Sequence, residues 1–373
     1  MKTNNSSAFK LIIFIGTFLV FGKAVAQQTN LLNIGDQAPP LKYSKWIKGE
    51  PISSLTGDQL YVLEFWATWC GPCKLAMPHL TKLQQDYKGK ANFIGVGVWE
   101  KVPEGKPYES SLASVEKFVK GNDSNMGYAV IADNNEQFMG NNWLKAAGEN
   151  GIPSTFIVKN KKILWIGHPN SLDTILPKIL DGSYNMELFK AKFKKSAESS
   201  RKQNAELLAV FKPIQDAVKA KEYTKAFELM DKLKTEQPNF KPMMDNMKFS
   251  VLLTNIDQQK AIEFAKEWQK EQKSAPSLIL GEIYNKDGLA KDTYLWAANN
   301  FGSTKDVTNP IVLDALASCY AKGGDFKTAI TNQEKALELA RKALKDGTMI
   351  GSIMDYTLTE YEAKLKQYKS KVN

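Results

Sequence analysis

Cysteine and histidine are both scarce in this chain, which contains three cysteines and two histidines among 373 residues. Small domains stapled by disulfides use about four to eight cysteines, so three in a chain of this length exclude a disulfide framework. A tetrahedral zinc site commonly uses two cysteine pairs, or one pair with histidines. Cys70 and Cys73 make a single close pair, and Cys319 is remote from them. We therefore expect no metal ion and no other cofactor.

Long hydrophobic runs are also lacking, apart from one near the N-terminus. Lys2 and Lys10 precede a twelve-residue apolar run, Leu11 to Gly22, and Ala24-Val25-Ala26 supplies the small residues of a cleavage site. This pattern predicts a secretory signal peptide over residues 1–26. A comfortable membrane span needs about 20 apolar residues, so we expect no stable span after cleavage. The alternative is an uncleaved membrane anchor.

Charged residues are distributed unevenly along the chain. The formal net charge is +10, and the predicted signal peptide holds three lysines and no acid. Residues 27–188 contain 16 basic and 16 acidic side chains, whereas residues 189–373 contain 31 basic and 24 acidic ones. A modest excess spread over a long lysine-rich segment is typical of a solvated surface. We therefore expect no nucleic-acid partner.

Strand and helix patterns alternate over residues 33–182. Strands are predicted at residues 60–65, 91–98 and 128–133, helices at 73–87, 111–120, 141–150 and 171–180, and a hairpin at 154–167 with its turn at Asn160-Lys161. Strands that alternate with helices imply a partly parallel sheet covered on both faces. The hairpin makes this sheet mixed, so the sequence predicts an α/β domain.

Helical patterns continue from Asn185 to the end, and we assign residues 186–373 to a second, all-α domain. Ala226, Ala261, Ala297 and Ala329 recur in similar settings. A period of about 34 residues with paired helices resembles the tetratricopeptide repeat. The best unit spans residues 310–343, where large and small side chains fall at the packing positions of that repeat. The alternative is an irregular helical bundle.

The segment Cys70-Gly71-Pro72-Cys73 admits three interpretations: a redox dithiol, half of a metal site or a structural disulfide. Further metal ligands are missing, and a bridge across two residues restricts the unfolded chain very little. The pair follows a predicted strand and opens a predicted helix, whose N-terminus favours a thiolate. An ordinary thiol has a pKa of about 8.5, and a depression of about one unit makes it substantially reactive. We predict that Cys70 is an exposed nucleophile and that Cys73 is the resolving thiol.

The segment "EFWATWCGPCK", residues 64–74, resembles the active-site segment of thioredoxins. With "NIGDQAPP" upstream and "SVEKFV" and "ADNNEQF" downstream, residues 33–182 are similar to the exported TlpA-like thioredoxin and redoxin family. The resemblance implies an α/β thioredoxin fold with a mixed central sheet and flanking helices. It also implies a thiol–disulfide oxidoreductase site at Cys70 and Cys73, and a periplasmic location.

The same resemblance assigns residues around the dithiol. Residues 151–155 match the loop whose proline is cis and faces the two cysteines, which implies that the Ile152 backbone pairs with a bound substrate chain. Trp69 stands at an aromatic position beside the dithiol. We therefore assign substrate binding to Trp69, Gly71, Pro72, Ile152 and Pro153.

Glu64 lies in an otherwise apolar strand, "YVLEFW", where a half-buried carboxylate has a raised pKa. The matching thioredoxin position holds a buried acid that relays the proton of the resolving thiol. The resemblance therefore implies that Glu64 is a general acid/base toward Cys73. The alternative is a Glu64 that points to solvent on an edge strand.

Gly71-Pro72 resembles the dipeptide of reducing thioredoxins, so we expect a reductase of protein disulfides that depends on an upstream electron donor. The helical repeats would recruit a peptide or protein partner. One alternative is a peroxidase of the redoxin type, which places a threonine three residues before its cysteine, whereas Thr68 precedes Cys70 by two. The other is a helical-repeat binding protein whose thioredoxin domain is only a support.

Overall fold

A computed structural model describes residues 31–103, 105–272, 275–302, 307–349 and 352–372. The predicted signal peptide at residues 1–26 lies outside these ranges. Within them, no helix combines the length and the hydropathy that a membrane span requires. Leu32–Asn373 forms one compact unit.

A six-stranded sheet forms the centre of the N-terminal half. Its strands are β1 (Lys45–Lys48), β2 (Leu60–Trp66), β3 (Ala91–Gly97), β4 (Ala129–Ala132), β5 (Ser154–Lys159) and β6 (Lys162–Gly167). They lie in the order β1-β4-β3-β2-β5-β6. β2, β3 and β4 are parallel, whereas β1, β5 and β6 each run antiparallel to a neighbour. The predicted mixed sheet is confirmed, and β1 is a strand that the sequence did not predict.

The position of β2 in the sheet follows from its composition. All seven of its residues are buried, as expected for a strand that is covered on both faces. The hairpin of β5 and β6 turns at Asn160 and Lys161, whose φ angles are 49° and 57°. Type I′ two-residue hairpin turns have positive φ at both positions, so the predicted turn is confirmed.

Three helices flank this sheet: α1 (Gly71–Asp86), α2 (Leu112–Gly121) and α3 (Leu172–Leu180). Short helical turns occur at Tyr108–Ser111, Gly140–Lys145 and Pro169–Ser171. The predicted helix at residues 73–87 begins two residues earlier, because Pro72 fits a first helical turn that needs no backbone N–H. Sheet and helices together form the predicted thioredoxin fold.

After Leu180, the regular structure in the described part of the chain is helical. The helices are α4 (Met186–Lys219), α5 (Tyr223–Glu236), α6 (Lys241–Val251), α7 (Gln258–Glu271), α8 (Ala275–Tyr284), α9 (Lys291–Gly302), α10 (Pro310–Gly323), α11 (Phe326–Lys345) and α12 (Asp355–Lys369). Short helical turns lie at Pro238–Phe240 and Leu252–Ile256. The predicted helical C-terminal region is confirmed.

Small residues mark the helix contacts in this region. The four recurring alanines are all buried: Ala226, Ala261, Ala297 and Ala329. Gly324 ends α10 with a φ of 91°, and the Asp325 side chain accepts the backbone N–H of Thr328 at the start of α11. The tetratricopeptide resemblance and the domain limits at 33–182 and 186–373 stay predictions.

α12 brings the end of the chain back to the sheet. Met354, just before this helix, is buried in the core that contains β2, and Tyr356 packs against that core. The rings of Tyr356 and Phe118 of α2 lie 5.1 Å apart between centroids. The last helix therefore packs on the same side chains as the thioredoxin fold.

Candidate redox site

Cys70 and Cys73 form a disulfide at the start of α1, with their Cα atoms 5.3 Å apart. Cys70 is the N-cap residue, and the backbone N–H of Cys73 donates to its Sγ at 3.2 Å. N-cap side chains satisfy the unpaired N–H groups that open a helix, and a sulfur does so here. A thiolate would accept the same bond with a full negative charge, so this position stabilises the ionised form of Cys70.

The bridged pair is buried, since Cys70 is 2% exposed and Cys73 is 0% exposed. The prediction of an exposed Cys70 is therefore wrong for the bridged form. Its Sγ is bonded to Cys73 and lies 3.6 Å from the carbonyl oxygen of Ile152, so it faces the protein. Gly71 and Pro72 beside it are exposed, so the adjoining surface is open.

The loop before β5 lies against the disulfide. The peptide bond between Ile152 and Pro153 is cis, as the resemblance implied, and β5 begins at the next residue. Both residues are partly buried. The structure thus brings this loop next to Cys70, and the role of the two residues in substrate binding stays a prediction.

Two large apolar side chains are exposed beside the disulfide. Trp69 is 45% exposed and Leu75 is 54% exposed. Three other apolar residues of α1 are buried, namely Ala76, Leu80 and Leu83. Leu75 instead lies one turn after Gly71 on the same side of α1. We call Trp69, Gly71, Pro72 and Leu75 the apolar collar.

Glu64 is buried in the middle of β2, with an exposed fraction of 2%. It pairs in register with Gly95 of β3 on one side and with Thr155 of β5 on the other. The alternative of a solvent-facing Glu64 on an edge strand is therefore wrong, because β2 lies inside the sheet. Burial raises the pKa of the Glu64 carboxyl from 4.5 to about 8. Its proposed exchange of a proton with Cys73 stays a prediction.

Several buried polar atoms near Glu64 have no hydrogen-bond partner. They are both carboxylate oxygens of Glu64, the indole nitrogen of Trp66 and the hydroxyls of Tyr128 and Thr155. Burial, and secondarily the charge of Glu64, raise the pKa of Tyr128. Within the described residues neither oxygen of Glu64 accepts a hydrogen bond, which together with burial favours the protonated carboxyl at neutral pH.

Trp99 and Glu100, which follow β3, hold the segment before Cys70. The indole N–H of Trp69 donates to the carbonyl oxygen of Trp99 at 2.8 Å. The carboxylate of Glu100 accepts the backbone N–H of Thr68 at 2.7 Å and its hydroxyl at 2.6 Å. Neither residue was predicted from the sequence. A usable signal was their place directly after a parallel strand, because the carboxyl ends of parallel strands meet at one edge.

Comparisons with known proteins place this site in a family. The model of the AhpC/TSA family matches residues 34–166. Protein FixW of Rhizobium leguminosarum is 31% identical over 156 residues, which span 41% of this chain and 68% of that protein. This chain belongs to the AhpC/TSA family. Its family region includes the disulfide, Glu64, Glu100 and the cis-proline loop.

Other proteins that are similar to this AhpC/TSA protein match shorter segments or share less sequence. A thioredoxin of Staphylococcus aureus is 46% identical over 54 residues, which span 14% of this chain and 50% of that protein. StoA from Bacillus subtilis is 23% identical, covers 37% of this chain and 97% of its own, and has a TM-score of 0.28. The thioredoxin domain of a thiol-disulfide oxidoreductase from Bacteroides vulgatus is 18% identical, covers 39% and 97%, and has a TM-score of 0.31.

Proposed function

We propose that this protein is a thiol–disulfide oxidoreductase that reduces disulfides of protein substrates through Cys70 and Cys73. One observation carries the proposal. The two cysteines form a disulfide at a helix N-terminus, where Sγ of Cys70 accepts a backbone N–H at 3.2 Å. A sulfur held in this way is a good leaving group from the bridge and a stabilised thiolate when the bridge is open.

The reaction starts from the reduced pair. The Cys70 thiolate attacks one sulfur of a substrate disulfide, forms a mixed disulfide and expels the other substrate sulfur as a thiolate. Cys73 then loses its proton and attacks Sγ of Cys70, which releases the second substrate sulfur and closes the bridge. Two electrons pass from the cysteine pair to the substrate disulfide. A dithiol donor protein must reopen the bridge for the next cycle.

Glu64 is the proposed acceptor of the Cys73 proton, which it takes in its ionised form, the minor form below its pKa of about 8. Its pKa of about 8 lies near that of an ordinary thiol. A proton is exchanged most effectively between groups of similar pKa, so a carboxyl of this kind suits the resolving step better than an ordinary surface carboxylate. Its burial inside the sheet also keeps the proton from bulk water.

Substrate chains would bind across the apolar collar and the cis-proline loop. The collar offers exposed apolar area, and the Ile152 carbonyl lies 3.6 Å from Sγ of Cys70. A backbone group at that distance can pair with an extended substrate segment while its disulfide meets the sulfur. We therefore add Leu75 to the residues proposed to bind substrate, which are Trp69, Gly71, Pro72, Ile152 and Pro153.

The helical region would recruit a peptide or protein partner, and the oxidoreductase would act outside the cytoplasm, in the periplasm. The N-terminal pattern of residues 1–26 and the resemblance to exported redoxins support the location. Stacked helix pairs form extended surfaces that hold peptide segments, which supports recruitment. The peroxidase alternative gains no support from Thr68, because its hydroxyl donates a hydrogen bond to the carboxylate of Glu100.

Insulin reduction and substrate trapping test this proposal. We expect the full chain with a dithiol donor to reduce insulin, and Cys73→Ser to accumulate mixed disulfides through Cys70. Cys70→Ser is the matched control and should trap nothing. Peroxide consumption without insulin reduction would instead support a peroxidase. If Cys70→Ser kept both insulin reduction and peroxide consumption, the proposal would be overturned.

A further inference from the structure

Lys74 is a charged residue that directly follows the disulfide and takes no part in the reaction described above. Its ammonium group lies over the ring of Phe118 of α2, 5.4 Å from the centroid. Burial lowers the pKa of Lys74, whereas the charges of Glu360 and Glu100 act to raise it. The ammonium is therefore partly desolvated and lies within electrostatic reach of two carboxylates.

These two carboxylates come from distant parts of the chain. Glu100 follows β3 and holds Thr68, two residues before Cys70, with two hydrogen bonds. Glu360 lies on α12, near the end of the chain. One carboxylate thus belongs to the thioredoxin fold, and the other is supplied by the helical region.

Close packing fixes Glu360 in this position. The ring of Tyr356 contacts Phe118, which also lies 5.3 Å from Trp66 of β2. Gly121 permits the approach, because a Cβ there would lie 3.2 Å from the Cβ of Tyr356. The Tyr356 hydroxyl donates to Oε1 of Glu360 at 2.6 Å. The carboxylate is therefore held by a residue that is itself packed on the core.

Lys117 is a second cation beside this carboxylate. Its Nζ lies 3.8 Å from Oε1 of Glu360 and 5.5 Å from the centroid of the Tyr356 ring. Lys117 belongs to α2, so it also ties α12 to the thioredoxin fold. The contact between α12 and α2 thus combines the partly buried Tyr356 ring and the buried Phe118 ring with a small group of charges next to the start of α1.

We propose that α12 is a part of the redox site, in which Glu360 is a positioning residue that offsets the charge of Lys74 and so lowers the tendency of the Cys70–Cys73 disulfide to open. The inference rests on the proposed function, since it assumes that this pair cycles. A cation near a thiolate stabilises the reduced form, and a carboxylate beside the cation weakens that effect. The helical region would thus tune the dithiol as well as recruit partners.

Glu360→Gln in the full chain tests this directly. We expect its equilibrium constant for reduction by glutathione to rise about two- to fivefold, because the uncompensated Lys74 stabilises the thiolate. A change of this size corresponds to about 9–21 mV for this two-electron couple. Glu362→Gln is the matched control, because Glu362 is on the same helix but pairs with Arg341 at 2.7 Å. It should leave the equilibrium constant unchanged.

Lys74→Gln shows whether the effect passes through Lys74. This variant should lower the equilibrium constant, and adding Glu360→Gln to it should cause little further change. The inference would be overturned if Glu360→Gln left the equilibrium constant unchanged or if Glu362→Gln changed it equally. It would also be overturned if Glu360→Gln had its full effect in the Lys74→Gln background. A wild-type pair that does not exchange with glutathione would instead overturn the proposed function.

Discussion

Glu100 accepts two hydrogen bonds from Thr68, and Thr68 lies two residues before Cys70. The loop after β3 thereby fixes the segment that leads into α1. A carboxylate that accepts both a backbone N–H and a hydroxyl constrains position as well as orientation. Two sets of contacts thus position the sulfur of Cys70. Glu100 holds the segment before it through Thr68, and the cis-proline loop contacts the sulfur itself.

Replacing Glu100 should loosen this segment. We expect Glu100→Ala to lower the free energy of unfolding by about 1–3 kcal/mol, because two bonds to a charged acceptor are lost, and to slow insulin reduction. Chemical denaturation and the insulin assay measure the two effects. Glu116→Ala is the control, since its pair with Lys45 is exposed and should cost under about 1 kcal/mol. Equal losses in both variants would argue against a special role for Glu100.

The raised pKa of Glu64 predicts a pH-dependent stability. Between pH 4.5 and about 8 the folded protein keeps the Glu64 proton that the unfolded chain has lost. The unfolded state then binds fewer protons, so the free energy of unfolding falls as pH rises through this window. Glu64→Gln has no such titration and should be more stable than wild type by roughly 4 kcal/mol at pH 8, with little difference at pH 4.5.

Denaturant titrations of the bridged proteins at several pH values measure this difference, and the bridge keeps both thiols from titrating. Other buried carboxyls contribute equally to both proteins, so the difference isolates Glu64. A constant gap between wild type and Glu64→Gln across the window would contradict the assignment. If Glu64 accepts the Cys73 proton, the variant should also release trapped substrate more slowly.

Leu75 should affect protein substrates more than small ones. Leu75→Ser removes exposed apolar area from the collar, so we expect slower insulin reduction and an unchanged rate with a small disulfide. Its exposure predicts a stability change within about 0.5 kcal/mol. Leu208→Ser is the control, because Leu208 is exposed on α4, outside the collar. A loss of activity toward small disulfides would mean that Leu75 acts on the sulfurs and not on the substrate.

Cys319 should be inert in the folded protein. It is buried and free, and burial raises its pKa to about 12. Mass spectrometry of the reduced native protein after alkylation should show no label on Cys319, whereas the denatured chain should carry label on all three cysteines. Cys319→Ala should leave disulfide cycling unchanged. Labelling of native Cys319 at the rate of Cys70 would contradict its burial.

Structural elements that depend on neighbouring residues in the sequence were predicted correctly. The run at β2, the turn at Asn160-Lys161 and the helix after Cys70 each depend on neighbouring residues, and all three are found as expected. The apolar residues around Glu64 predicted a half-buried carboxylate, and the structure buries it almost completely. These features carry the fold and the position of the candidate nucleophile.

What the sequence did not predict depends on contacts between distant segments. Nothing near Glu100 indicates that it meets Thr68, and nothing near Tyr356 indicates that it packs on Phe118. The exposure of Leu75 depends on which side of α1 faces the sheet. The buried Cys70 contacts Ile152, which lies eighty-two positions away in sequence. Tertiary packing decides all four.

The pH dependence of Cys70 alkylation tests the central claim most directly. Reduced full-length protein is treated with iodoacetamide over a range of pH, and the label on Cys70 is followed by mass spectrometry. A sulfur stabilised by the start of α1 should react with a midpoint at least about one unit below the 8.5 of an ordinary thiol. A midpoint at or above 8.5 would contradict the account.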